Sequence, residues 1–146
     1  MNSTIVTRIT QTNASLAALA LRIPVGIIFM AHGAQKLFGW FGGYGLEGTG
    51  QWMESIGLAP GYLMALGAGS AEFFGGLALV LGLLVRPAAA ILALTMLVAI
   101  VTVHLANGLF MSNNGYEFGL AILDTSVSLL ISGAGRVSLD RIISLR

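Results

Sequence analysis

Apolar side chains run almost unbroken through four stretches of the chain, about 14–38, 62–84, 88–107 and 117–134, parted by short segments rich in Gly, Pro, Asn or aromatic residues. A helix crossing a bilayer needs about 20 mostly apolar residues, and each stretch is close to or above that length. The pattern predicts an all-α fold, a polytopic four-transmembrane-helix bundle forming a single domain over 1–146. The first stretch is not read as a cleaved signal. Arg22 interrupts it, no small-x-small cleavage pattern follows, and Gly33-Ala34-Gln35-Lys36 continues it.

The connections have their own grammar. GWFGGYGLEGTGQWMESIGLAPGY (39–62) begins as a glycine-rich loop. Thr49 can then cap a short interfacial helix with Trp52, Met53 and Ile56 on one side and Gly57 at its end. Its tryptophans and tyrosines suit the water–lipid interface. LLVRPAAA (83–90) reads as a tight hairpin with Pro87 opening the next helix, and NGLFMSNNGYE (107–117) as a polar turn.

Composition agrees with this pattern. Charged residues make up 9% of the chain, against about 25% in soluble domains, and mean hydropathy is +0.89. The twenty glycines suit helices that pack closely through small residues. With no cysteine, dithiol, iron–sulfur and thiolate-zinc chemistry within the chain is excluded. No Lys/Arg cluster suggests nucleic acid. An even number of spans puts Arg8, Arg22, Arg86, Arg136, Arg141 and Arg146 on one side and Lys36 alone on the other. The positive-inside rule then predicts both termini in the cytoplasm, in a bacterial inner membrane.

Against that background the polar residues inside the spans stand out. Glu72 is the only charged side chain between Leu63 and Val85, where an ion costs roughly 2.5–3.5 kcal/mol on insertion scales. Its helical face, Ala65, Ala68, Gly69, Glu72, Gly75, Gly76 and Leu79, is a stripe of small residues, so Glu72 should point into the bundle. A second narrow stripe is Arg22, Gly26, Phe29, Gly33 and Lys36. Asp124 sits mid-span on the face of Glu117, about 10 Å away along the helix. His32, Gln35 and Lys36 end the first span, while His104 and Asn107 end the third.

By topology these groups gather in the outer third of the bundle, with Glu72 and Asp124 near the midplane beneath them. Plainer readings exist for each: Lys36 and Arg22 can snorkel, and the carboxylates can serve as interhelical struts. Their convergence in one half of the membrane favours an outward-facing pocket with Glu72 as its floor, neutral or paired with Lys36 or a histidine. Such a pocket suits a small polar headgroup and proton exchange, and a quinone fits well. Haem on His32 and His104 fits poorly, as does a metal, and none is assigned.

The residues now in hand resemble the DoxX family of small four-helix membrane proteins across nearly the whole chain. The resemblance rests on LRIPVGIIFMAHGAQKLFGWFGG (21–43), AEFFGGLALVLGLLVRPAAAIL (71–92), MLVAIVTVHLANGLF (96–110), GYEFGLAILDTSVSLL (115–130) and GAGRVSLDRII (133–143). It implies polar positions at Arg22, Lys36, Glu72, His104 and Glu117, and a link to quinone-coupled oxidation or oxidative defence. The expectation is a quinone-binding membrane subunit. In it, Glu72 and Asp124 handle protons, Arg22, His32, Gln35, Lys36, His104, Asn107 and Glu117 contact the ligand, and electrons arrive from a soluble or membrane redox partner. The competing expectation is a non-enzymatic scaffold for oxidative-stress enzymes. Exposed small-residue faces leave room for a homodimer in either case.

Overall fold

The computed structural model describes residues 3–13 and 15–145. Ala14, where the first predicted span begins, and Arg146, counted in the charge bias, lie outside the described residues. The described residues are helical, with no strand. The helices are α1 (Ser3–Thr10), α2 (Ala17–Phe38), α3 (Gly45–Ser55), α4 (Gly61–Leu81), α5 (Val85–Ala99), α6 (Glu117–Ser132) and α7 (Leu139–Ser144). α5 continues through a wide π turn at Ile100–His104 and a 3-10 turn to Asn107. Three helical runs, Ala17–Phe38, Gly61–Leu81 and Val85–Asn107, are long and apolar enough to cross a membrane. α6, at 16 residues, is about 24 Å long and shorter than the stretch predicted for it. Its last predicted turn is ended by Gly133 at φ 79°.

Two seams organise the bundle. α2 packs most closely on α4, and α5 on α6. The α2–α4 seam is the meeting of the two predicted small-residue stripes. Gly26 and Gly76 touch backbone to backbone, and a Cβ on Gly26 would stand 2.7 Å from the Gly76 carbonyl oxygen. Seven residues further along α2, Gly33 lies against the backbone of Gly69 and Phe73. Replacing Gly33 with alanine should therefore overpack the seam and cost about 1–3 kcal/mol. Thermal unfolding in detergent would read this as a lower midpoint, and an unchanged midpoint would contradict so close an approach.

The apolar core fills one half of the bundle, around Phe29, Leu79, Val85, Leu92, Ile122 and Leu129. At this end, which carries both terminal segments, the chain is tied by polar clamps. Arg22 is 2% exposed and donates to the carbonyls of Ala134, Leu79, Val80 and Val137. Asp140 caps the start of α5, accepting from the Leu84 and Val85 N–H groups at 2.7 and 3.0 Å. Leu84 sits at φ 50°, a left-handed conformation that non-glycine residues adopt seldom; the Asp140 carboxylate holds it there. Arg86 reaches the carbonyls of Gln11 and Leu130. The outward faces are apolar: Phe74, Leu94 and Ile131 are at least 60% exposed, as suits a lipid-facing surface.

At the opposite end, the loop end, α3 starts four residues before the predicted cap. Thr49 is a buried residue inside the helix rather than its N-cap, because Gly50 meets Gly61 of α4 backbone to backbone and draws this turn onto the bundle. The predicted end holds: Gly57 has φ 89°, and the Gly57 and Leu58 N–H groups close onto Glu54 and Met53 carbonyls. Phe38, Trp40, Phe73 and Phe74 form a chain of ring contacts beside it.

Candidate functional site

Beyond the core the loop half of the bundle is not filled. A cleft of about 1050 Å³ lies there, lined from α2, α4, α5 and α6, with Tyr44, Trp52 and Leu58 contributed by the connection between α2 and α4. Its polar lining is concentrated. Lys36 Nζ donates to Glu72 Oε2 at 2.6 Å, and the two side chains are 22% and 9% exposed. The glycine seam sets this pair. Gly69, one turn from Glu72, has no side chain to obstruct the Lys36 Cβ passing beside it, so the lysine reaches down to the carboxylate. The sequence left Glu72 a choice of partners; the α2–α4 register selects Lys36.

Other polar groups face the same space. His32 lines the cleft one turn before Lys36. From α5 come Thr95 and Thr102, whose hydroxyls donate to the Ile91 and Val98 carbonyls at 2.9 and 2.7 Å and keep acceptor lone pairs. The wide turn after α5 supplies three consecutive lining residues, Thr102, Val103 and His104. π turns of this kind recur at functional sites. His104 Nδ1 lies 2.9 Å from the Asn114 carbonyl. A carbonyl only accepts, so Nδ1 carries the proton and Nε2 of the neutral ring remains an acceptor.

The remaining sequence candidates are elsewhere. Gln35 donates to the Phe41 carbonyl and Asn107 to those of Val103 and Asn114. Glu117, at the start of α6, accepts from the Met111 N–H at 2.6 Å. These three brace loops and do not line the cleft. Arg22 is at the far end of α2, its donors spent on carbonyls. Asp124 is exposed on the outer face of α6 and also outside the cleft. The buried face of α6 is Gly119, Ile122, Ser126 and Leu129, and Asp124 stands two residues, about 200°, from Ile122. The expectation that Asp124 shares the pocket fails on helical phase.

Thr95, Thr102, Asn114 and Gly67 are cleft residues that the sequence reading missed. Thr95 and Thr102, seven apart on one helical face, were the available signal. A second hollow of about 390 Å³ at the terminal end, between Asn13, Ala18, Ser128 and Gly135, has no ionisable side chain in its lining. Among the described residues no three His, Asp or Glu side chains gather as a metal site.

An apolar-walled helical bundle with long lipid-facing surfaces and a polar cleft at one end is an integral membrane protein, and a family comparison makes the class specific. The DoxX family model matches residues 17–105, and the chain belongs to the DoxX family. It is similar to CatD of Bacillus subtilis (strain 168), which carries an oxidoreductase name. The two are 38% identical over 125 residues, covering 86% of this chain and 85% of CatD. It is also similar to the inner membrane protein YqjF of Escherichia coli (strain K12), 33% identical over 135 residues, covering 88% of this chain and 93% of YqjF. No solved structure matches it significantly.

Proposed function

We propose that this chain is the membrane subunit of a quinone-linked redox system in a bacterial inner membrane, and that the cleft holds the quinone headgroup. In this reading α6 is the fourth membrane-embedded helix, and the arginine-rich terminal end faces the cytoplasm. The observation that carries the reading is the Lys36–Glu72 pair on the wall of a mostly apolar cleft. The fit is chemical as well as spatial. About 1050 Å³ is ample for a ring, since small-ligand sites run to about 1,000 Å³. Lys36 and His32 are donors for one carbonyl, and the acceptors on the His104 side suit the hydroxyl that the other carbonyl becomes on reduction.

A bound quinone supplies two-electron, two-proton redox chemistry. The chain's own part is to orient the ring and move protons: Lys36 Nζ is the donor, Glu72 holds it in place and accepts the returning proton, and His32 exchanges protons toward the loop end. Having no thiol, the chain receives electrons from a redox partner, in keeping with the oxidoreductase name of CatD.

Gently purified protein should yield stoichiometric quinone in its lipid extract by mass spectrometry, and Glu72→Gln should lower the yield by about tenfold, the scale of one lost charge-assisted contact. Quinone absent from well-folded wild type, or unchanged in the variant, would sink the reading. A scaffold role is the second reading, favoured by the loop-bracing bonds of Gln35, Asn107 and Glu117. It predicts that Glu72→Gln alters stability and no ligand content.

A further inference from the structure

Of the twenty glycines in the chain, Gly67 is the one that the fold does not explain. Every other glycine either has a positive φ or would drive a Cβ to within 4 Å of a neighbour; Gly67 does neither. It lies within α4, where glycine is a poorer helix former than alanine, and it is exposed. What Gly67 does border is the cleft. α4 and α5 touch near the hairpin, where Gly75 faces Leu92. Further toward the loop end both helices line the cleft: Leu63, Met64 and Gly67 from α4, Leu94 and Val98 from α5. Leu63 and Leu94 are 58% and 62% exposed. The cleft thus opens sideways, through an apolar mouth that faces lipid.

We infer that the ligand enters the cleft laterally from the bilayer and keeps an apolar tail lying in this mouth, and that Gly67 is the specificity-determining position, left bare to clear the tail. The ligand class is an amphiphile with one small polar ring and one long hydrocarbon tail. The ring goes inward to Lys36 and His32, while the tail passes Gly67 and remains in contact with lipid. This inference rests on the quinone site proposed above. It goes beyond that site in requiring the tail to leave between α4 and α5 rather than toward the loop end.

The test compares two benzoquinones of identical ring, one tailless and one with a decyl chain, in wild-type and Gly67→Phe protein in nanodiscs of quinone-free lipid. Binding is read as tryptophan quenching that Trp52→Phe abolishes, since Trp52 lines the cleft. Each quinone is compared between wild type and variant, so partitioning into lipid cancels. Gly67→Phe should weaken the decyl quinone by about tenfold or more, the scale that overpacking a filled site brings, and leave the tailless ring within about twofold. Leu94→Phe, across the mouth on α5, adds bulk without adding a tryptophan; it should act in the same sense and stands in should Gly67→Phe fail to fold.

Equal loss of both quinones, or of neither, would overturn the lateral path while leaving the quinone site standing. Failure of both to bind wild type would remove the site itself. Unchanged quinone binding with a smaller particle by light scattering would assign the bare face to a second copy of the chain, which also overturns the inference.

Discussion

Replacing Arg22 with methionine is expected to lower the unfolding midpoint in detergent by roughly 10 °C and to expose the segment after α6 to protease. The guanidinium is buried, with its Nε 3.1 Å from the Ala134 carbonyl and an Nη 2.8 and 2.7 Å from those of Leu79 and Val80. A fourth bond goes to the Val137 carbonyl. Leu79 and Val80 are in the last turn of α4, where carbonyls run out of helical partners, so the arginine both satisfies that end and straps the C-terminal segment across it. Bonds to a charged group contribute about 1.5–3 kcal/mol each, but bonds from one guanidinium are not additive, and methionine also removes the cost of burying the charge, so the net loss should be about 3–5 kcal/mol. At about 2–4 °C per kcal/mol for a chain of this size, that is a shift on the order of 10 °C. Lysine should rescue only in part, because one ammonium lacks the planar fork that spans several carbonyls. A midpoint within about 2 °C of wild type for Arg22→Met would mean the clamp contributes little.

That arginine also marks the limit of what the chain pattern reveals. The faces of α2 and α4 were legible, because small residues recur at helical spacing and a lone carboxylate in hydrocarbon must turn inward. The two stripes were read separately, and their meeting at Gly26–Gly76 and Gly33–Gly69 is what brings Lys36 to Glu72. Arg22 resisted because its partners are main-chain carbonyls, which every residue carries and no motif announces. Gln35, Asn107 and Glu117 resisted for the same reason: each meets backbone from a loop whose path is set by glycines and by the left-handed Phe41 and Asn114. Asp124 was a matter of phase. Gly119, Ile122, Ser126 and Leu129 already trace the buried stripe of α6 in the sequence, and Asp124 falls opposite to it. Of the polar groups read as one cluster, only His32, Lys36, Glu72 and His104 line the cleft. Its walls were not legible, since the wide turn that carries His104 has no sequence signature.

Removing either member of the Lys36–Glu72 pair alone should destabilise the bundle by up to about 3 kcal/mol, the lower end of the range for stripping one partner from a buried ion pair. Removing both, as Lys36→Met with Glu72→Met, should restore the midpoint to within roughly 1 kcal/mol of wild type, because no uncompensated charge is left and the walls there are mostly apolar. The double variant separates the two readings of the cleft. A strut only holds α2 to α4, so a strut replaced by two methionines leaves a protein normal in every respect. A ligand pair also contacts the ring. The double variant should then fold as well as wild type and still lose bound quinone by at least about tenfold, as each single variant does. The coupling energy measured on stability and the loss measured on ligand are thus independent quantities. Midpoints come from unfolding in detergent, and ligand content from mass spectrometry of the same samples. A double variant that regains both stability and quinone would assign the pair to the framework. One that regains stability alone places Lys36 Nζ and the Glu72 carboxylate in contact with the ligand, since a stable α2–α4 seam excludes distortion of the cleft as the cause.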